Sequence, residues 1–234
     1  EDAFEKGRLM GSYAEDCADS YSFSRKDQDG FAIRSLERAK TANEDGSFAW
    51  EIIPVAIKAG KDQRFIEADE QPFKADIEKI PYLKPAFRKN GTVTAANSSS
   101  ISDGAAAMVM MRLSKAVSLG IKPLAKIVGH STHSHEPGLF TTAPIGAIKN
   151  LFSKTGWSSN DADLYEVNEA FAVVTMAAMK EFKLGRDRVN VHGGACALGH
   201  PVGASGSRII VSLISALRKQ GGKKGVASLC IGGG

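Results

Sequence analysis

The chain has 234 residues, 43% hydrophobic and 24% charged, a composition typical of a globular protein with one large domain or a large and a smaller one. Its net charge is +4, but basic and acidic residues are interspersed, which argues against a nucleic-acid-binding patch. No apolar run is long enough to cross a membrane. Three cysteines without a CxxC pair indicate neither a disulfide framework nor a zinc knuckle, so we expect free thiols in a reducing, cytoplasmic environment.

The first part of the chain is predicted to be helical and then irregular. Apolar residues recur at helical spacing within residues 12–39, and Ser24, with Asp27 three residues later, has the pattern of a helix N-cap. Residues 50–57 have a strand-like composition. Residues 60–89 are polar and have no clear period, so we expect an extended surface excursion there.

From Thr92 onward, strand-like and helix-like segments alternate. Strands are predicted for residues 105–113, 124–129, 164–167, 189–191 and 226–231, and helices for residues 143–155, 169–182 and 203–219. This alternation predicts an α/β protein with helices packed on a sheet. The last helix is apolar on all sides, which predicts a helix that is covered on every face, in a layer between two sheets.

Three short motifs in the last third of the chain carry residues suited to catalysis. VNEAF contains Asn168, GGACALGHP contains His200, and CIGGG begins with Cys230. An amide, an imidazole and a thiol together suit acyl transfer and carbon–carbon bond chemistry on thioesters. Since each residue follows a strand or opens a helix, we expect all three on loops at one end of a sheet, where open α/β folds bind ligands.

Each of these residues also has a purely structural interpretation. Asparagine is a favoured N-cap, so Asn168 fits the start of the helix that follows it. Cys230 fits a small buried side chain before a glycine turn, and His200 fits a packed ring that caps a turn. The glycines around His200 favour the functional interpretation, in which the ring acts as a base toward a thiol or donates to a thioester oxygen.

Two further groups of reactive residues are interpreted as structural. His130, His133 and His135 have a spacing that could bind a metal, but only Glu136 is near enough in sequence to complete the ligand set, so we predict no metal site. Cys17 lies in a helix close to acidic residues, which would raise the pKa of its thiol and make it a poor nucleophile.

The three motifs together resemble the thiolase family. The segments GRLMG near the start of the chain, TVTAANSS from Thr92 and DGAA from Asp103 are similar to thiolase sequences as well. The resemblance implies a layered αβαβα fold, of which this chain would hold the remainder of a loop domain (residues 1–91) and a C-terminal domain (residues 92–234) without its last strand. It also implies that the N-terminal half, which carries the nucleophilic cysteine, is absent.

The resemblance also assigns roles to residues. Asn168 would hold a catalytic water, His200 would activate the nucleophilic cysteine, Cys230 would exchange a proton with the acetyl methyl group, and the amide of Gly232 would belong to an oxyanion hole. The residues expected to contact coenzyme A are Ser99, Ala95, Phe87, Met10, Ala170 and Phe171.

The activity implied is acyl transfer between acetyl-CoA molecules, giving acetoacetyl-CoA and CoA by condensation, or the reverse thiolysis. The resemblance implies no further cofactor or metal, a homodimer or homotetramer, and an inactive chain unless the N-terminal half is supplied. The alternatives are a non-catalytic CoA-binding or assembly protein, a cysteine hydrolase that uses Cys230 and His200, and a ketoacyl synthase, against which Asn168 and Cys230 argue.

Overall fold

The structure, a computed structural model, describes residues 2–232 and has a mixed α/β architecture. The α-helices are α1 (Met10–Tyr21), α2 (Arg25–Glu44), α3 (Gln71–Lys74), α4 (Leu113–Ser118), α5 (Ala143–Thr155), α6 (Ala172–Phe182), α7 (Ala195–Leu198) and α8 (Ser205–Gln220). The strands are β1 (Val55–Ala59), β2 (Asp62–Ile66), β3 (Leu164–Val167) and β4 (Gly225–Ser228). Within residues 2–232, no helix combines the length and apolar character needed to cross a membrane.

The predicted start of α2 is confirmed. The Ser24 hydroxyl accepts a hydrogen bond from the Asp27 backbone amide (3.2 Å), and the Asp27 carboxylate accepts one from the Ser24 amide (2.9 Å). This reciprocal capping box satisfies two amides that a helix N-terminus otherwise leaves unpaired. One face of α2, which includes Phe31 and Leu36, is buried as the apolar spacing predicted.

The predicted surface excursion contains more regular structure than expected. β2 lies inside residues 60–89 and pairs as an antiparallel hairpin with β1, which begins at Val55. Most side chains of both strands are exposed. Neither strand buries one face, so neither carries the alternating pattern by which a half-buried strand is recognised in a sequence.

The sheet that positions the candidate site is the parallel pair of β3 and β4. The two strands pair in register from Leu164 with Gly225 to Val167 with Ser228. β3 has the predicted bounds, whereas β4 is shorter than predicted. The predicted strand at residues 189–191 is reduced to one bridge, between Val189 and Tyr165.

Helices pack on this sheet, and the predicted bounds of α5 are confirmed. Gly156 ends α5 in the left-handed region (φ +70°), a conformation that glycine adopts without strain. α1, α5, α6 and the sheet share the largest apolar cluster, which includes both Cys17 and Cys230. α6 begins at Ala172, three residues later than predicted.

The expectation that α8 lies between two sheets is wrong for the described residues. One side of α8 packs on β3 and β4. The adjoining part of its buried face meets the loop after α2, where Ser215 donates to the Ser47 carbonyl (3.3 Å). Ile210 and Ile214 remain half-buried because no second sheet covers them within residues 2–232.

The predicted strands at residues 105–113 and 124–129 are also wrong. Neither segment pairs with a strand in the described part of the chain, and Val109 (88% exposed), Met110 (69%) and Ile127 (66%) face solvent. An apolar strand-like sequence forms a strand only where a neighbour satisfies its backbone groups. Residues 124–131, together with α5, α8 and β4, line an apolar groove of about 660 Å³.

Candidate active site

The carboxyl ends of β3 and β4 carry two of the three candidate catalytic residues. Asn168 follows β3 directly, and its backbone amide donates to the carbonyl of Ser228, the last residue of β4 (2.9 Å). Cys230 lies two residues beyond the end of β4. Because the strands are parallel and in register, the amide and the thiol leave the sheet at the same edge.

Asn168 is not a helix cap. α6 begins four residues after it, and the residue at its N-cap position is Phe171. The Asn168 side chain is 1% exposed, and its Oδ1 accepts from Arg208 Nη2 at 3.4 Å. Its Nδ2 is buried with no partner among the described residues. A buried N–H donor without an acceptor is costly, which marks this atom as a donor for a water or a ligand oxygen.

His200 is held by the first turn of α8. Its Nδ1 lies 2.6 Å from the Ser205 hydroxyl, which in turn donates to the Pro201 carbonyl at 3.1 Å. When the hydroxyl donates to that carbonyl, it accepts from Nδ1–H, and the lone pair of the neutral ring is then on Nε2. Burial, and then the positive charge of Arg208, lower the pKa of His200. The ring is therefore neutral at pH 7, with Nε2 available as a base.

Cys230 is buried, with 6% of its surface exposed, and burial raises the pKa of its thiol to about 12. Gly232, two residues later, faces Met10: a Cβ at this position would lie 2.9 Å from Met10 Cε. The absence of a side chain allows this close approach. The rest of the predicted glycine motif, residues 233 and 234, lies outside the described residues.

One segment joins the first two motifs. The amide and the hydroxyl of Ser99 both donate to the Ala170 carbonyl (3.1 and 2.9 Å), and Ser98 forms a bridge with Phe171. The His200 amide donates to the Ser100 carbonyl (3.0 Å). The backbone of residues 98–100 thus connects the VNEAF motif to the histidine loop.

Most of the residues expected to contact coenzyme A lie together. Phe87 packs edge-on against Phe171, with ring centroids 6.0 Å apart, and Met10, Phe87 and Ala170 are partly buried against the cluster that contains Phe171. Ala95 is exposed. The structure therefore places an apolar surface beside the Ser99 hydroxyl, and the assignment of these residues to coenzyme A stays a prediction.

Glu169 supports the site and was missed in the sequence, where its motif was interpreted as the start of a helix. It is buried and accepts hydrogen bonds from Ser35 Oγ (2.7 Å), Asn190 Nδ2 (2.9 Å) and the Cys196 amide (3.1 Å). These bonds fix α2, the turn at Asn190 and α7 around the loop that carries Asn168. Burial raises the pKa of Cys196 well above its ordinary value, and the neighbouring Glu169 raises it further. Cys196 is therefore structural.

The histidines at residues 130–135 do not form a metal site with acidic or thiol side chains. The rings of His133 and His135 are 5.0 Å apart. Among residues 2–232, no three His, Cys, Asp or Glu side chains are grouped so that they could hold a metal ion.

Comparison with known proteins connects these motifs to one family. The model of "Thiolase, N-terminal domain" matches residues 1–114, and that of "Thiolase, C-terminal domain" matches residues 121–234. The chain is 47% identical over 228 residues to acetyl-CoA acetyltransferase 2 of Arabidopsis thaliana, covering 96% of this chain and 57% of that protein. It is 46% identical over 227 residues to acetyl-CoA acetyltransferase of Chromobacterium violaceum, covering 96% and 58%.

Solved structures give the same result for the fold. The Bacillus anthracis acetyl-CoA acetyltransferase superposes with a TM-score of 0.96 at 44% identity, covering all of this chain and 59% of that one. The human mitochondrial 3-ketoacyl-CoA thiolase superposes with a TM-score of 0.87 at 37% identity, covering 96% and 57%. The chain thus spans less than three fifths of these relatives.

One expectation from the sequence is corrected by this result. We expected no part of the thiolase N-terminal half to be present in this chain, whereas residues 1–114 match the model of the N-terminal domain. The boundary between residues 91 and 92 stays a prediction. The two matches together span almost the whole chain, and with the α/β fold and the three motifs they identify it as a member of the thiolase family.

Proposed function

We propose that this chain serves acyl transfer between CoA thioesters: the condensation of two acetyl-CoA molecules to acetoacetyl-CoA and CoA, or the reverse thiolysis. The observation that carries the proposal is the edge of the β3–β4 sheet. There the buried, unpaired N–H of Asn168 and the thiol of Cys230 leave neighbouring strands. The names of the relatives, acetyl-CoA acetyltransferases, support acetyl-CoA as the substrate.

Cys230 is the proposed proton carrier. In condensation, its thiolate takes a proton from the acetyl methyl group. The C–H electron pair becomes the C=C bond of an enolate, and the carbonyl π pair moves onto the thioester oxygen; in thiolysis the proton returns. Burial raises the pKa of this thiol to about 12, so its thiolate, once formed, is a stronger base than that of an ordinary cysteine. The amide of Gly232 is proposed to stabilise the developing oxyanion.

Asn168 and His200 are proposed to serve the thioester oxygen and the acyl-carrying thiol. The free N–H of Asn168 donates to a water or an oxygen. The free Nε2 of His200 accepts a proton from the attacking thiol and can return it. The Ser99 hydroxyl and the apolar surface of Met10, Phe87 and Phe171 are proposed to hold the pantetheine arm.

We further propose that the acyl-carrying thiol is supplied by polypeptide outside these 234 residues and that the chain alone does not turn over. Homo-oligomeric assembly is proposed as well. A nucleophilic cysteine requires a thiolate, which an adjacent base or cation stabilises. Burial raises the pKa of Cys17 to about 11, that of Cys230 to about 12, and that of Cys196 well above its ordinary value. Within residues 2–232, none of these thiols hydrogen-bonds an imidazole.

The test is thiolysis of acetoacetyl-CoA by the 234-residue chain, followed by loss of the enolate absorbance with CoA present, together with calorimetric titration of acetyl-CoA. We expect binding of the thioester without a rate above background. A rate that is abolished in Cys230→Ala or Cys196→Ala would assign the nucleophile to this chain and overturn the roles given above. A chain that neither binds nor converts CoA thioesters contradicts the proposed function.

A second candidate function is assembly without catalysis. The apolar groove between residues 124–131, α5, α8 and β4 supports it, because exposed apolar surfaces of this kind mark interaction sites. Binding of acetyl-CoA that is unchanged in both Cys230→Ala and Asn168→Ala would favour this candidate over the catalytic one.

A further inference from the structure

Arg208 joins two buried polar residues, Glu166 within β3 and Asn168 directly after it. Because successive side chains of an extended chain point to opposite sides, Glu166 and Asn168 lie on the same side, and α8 packs against β3. Arg208, on α8, places Nη1 3.5 Å from Glu166 Oε2 and Nη2 3.4 Å from Asn168 Oδ1. The guanidinium therefore spans the two side chains.

The same side of α8 makes two other polar contacts. Ser205, three residues before Arg208, contacts His200 Nδ1, and Ser212, four residues after it, donates to Glu51 Oε1 at 3.2 Å. Residues three and four apart are neighbours on a helix surface. One row of α8 thus contacts the histidine, the asparagine, the buried Glu166 and the partly buried Glu51.

We propose that Arg208 is a positioning residue that fixes which end of the Asn168 amide faces the reacting oxygen. The inference rests on the proposed function, because it is that function which gives Asn168 and His200 a part in thioester chemistry.

The orientation follows from the chemistry of the two groups. A guanidinium has five N–H donors and no acceptor, whereas a carboxamide has one acceptor oxygen and one donor nitrogen. Arg208 therefore pairs with Oδ1 of Asn168. If the Asn168 amide were rotated, its Nδ2–H groups would face the N–H groups of Arg208, and its Oδ1 would face the site. The contact leaves Nδ2, which has no partner in the described residues, as the end that meets a ligand.

The positive charge of Arg208 affects the pKa values of the titratable groups around it. Burial raises the pKa of Glu166 to about 8 and that of Glu51 to about 7, and it also raises the pKa of Asp69; Arg208 opposes the shift in each case. Glu169 and Arg38 act on Glu166 in addition. On His200, the effect of Arg208 adds to that of burial and lowers the pKa of the ring.

Side-chain ¹⁵N NMR of the full chain tests the proposal without requiring turnover. Arg208→Gln removes the charge, and Arg208→Lys keeps the charge but removes the paired N–H donors of the guanidinium. Arg218→Gln is the matched control, because Arg218 is an exposed residue of α8 that packs over Trp50. The signals of Asn168 and His200 are assigned with Asn168→Asp and His200→Gln.

In Arg208→Gln we expect the pKa of His200 to rise, because a neighbouring positive charge is lost, and the Asn168 NH₂ signals to shift and broaden. In Arg208→Lys we expect the histidine pKa to stay low while the Asn168 signals move. Arg218→Gln should change neither.

Unchanged Asn168 signals and an unchanged His200 pKa in Arg208→Gln would overturn the proposal, as would equal changes in Arg218→Gln. Should Arg208→Gln not fold, unchanged Asn168 signals in Arg208→Lys would overturn it. Because these signals are read in the absence of substrate, failure of the chain to bind CoA thioesters would contradict the proposed function and leave this result intact.

Discussion

At the scale of single residues, Glu166 links the site to the pH dependence of stability. Burial raises the pKa of Glu166 from its ordinary 4.5 to about 8, so the folded chain keeps a proton that the unfolded chain loses between these values. Folding is thus favoured at the lower pH, and stability falls as the pH rises toward 8. The largest slope is about 1.4 kcal/mol per pH unit.

We therefore expect the free energy of unfolding in urea to be lower at pH 8 than at pH 6.5 by up to about 2 kcal/mol, and the difference to shrink in Glu166→Gln. Glu51, whose pKa is raised to about 7, contributes in the lower part of this window. His192 and His200, whose pKa values are lowered, act in the opposite direction below about pH 6.5. A slope that is unchanged in Glu166→Gln would contradict this assignment.

The three thiols give a second prediction at this scale. Since Cys17, Cys196 and Cys230 are all buried with a raised pKa, we expect Ellman's reagent to modify the native chain slowly at pH 7.5 and all three thiols rapidly in urea. Mass spectrometry after partial modification identifies the residue. Rapid labelling of one thiol in the native chain would indicate an activated cysteine and contradict the structural roles of Cys17 and Cys196.

At the scale of elements, the turn before α7 depends on a glycine. Gly193 has φ +80°, and a Cβ at this position would lie 2.5 Å from the Ser35 carbonyl and 2.8 Å from the Ala39 nitrogen, both backbone atoms of α2. Alanine there would meet both a strained conformation and a clash with atoms that cannot move aside. The turn can therefore pack on α2 only when residue 193 has no side chain.

We expect Gly193→Ala to lower the free energy of unfolding by about 3 kcal/mol or more, from strain and overpacking together. Gly120→Ala is the matched control, because Gly120 has φ +67° but open space at the Cβ position. Gly120→Ala should lower the free energy of unfolding by only about 1 kcal/mol. Urea denaturation of the two variants gives the comparison, and equal losses would show that backbone strain alone accounts for the effect.

How far the elements could be predicted depends on how local their causes are. The start of α2 and the bounds of α5 were predicted correctly, because Ser24, Asp27 and Gly156 act within a few residues of each end. The strands expected at residues 105–113 and 124–129 were wrong, because pairing depends on a neighbour that the local sequence does not specify.

The site was predictable to a similar degree. The motifs identified Asn168, His200 and Cys230 because glycines and strand ends mark them in the sequence. Arg208 was interpreted as part of an apolar helix, since its partners, Glu166 and Asn168, lie about 40 residues earlier on a strand that only the fold brings close. The alternation of Glu166 and Asn168 along β3 was the one local signal that could have drawn attention to it.

At the scale of the whole molecule, the apolar surface around the groove is the region through which we expect the chains to associate. Ile127 is exposed and lines the groove together with the half-buried Ile210 and Ile214 of α8, and apolar patches of this kind promote association. In sedimentation experiments we expect a mass above the 24.8 kDa of one chain, increasing with concentration. Ile127→Lys should lower this mass, whereas Lys126→Ile, beside it, should not. A monomer at every concentration would contradict this expectation.

The pairing of β3 with β4 also has a consequence for how the chain acquires its site. The paired residues are about 60 positions apart in the sequence, and three helices and two glycine-rich turns lie between them. Closing a loop of this length is entropically unfavourable until the intervening helices have shortened it, so contacts of this type form slowly. We therefore expect Asn168 and Cys230 to become neighbours late in folding, and a partly synthesised chain to have most of its helices before it has any binding edge.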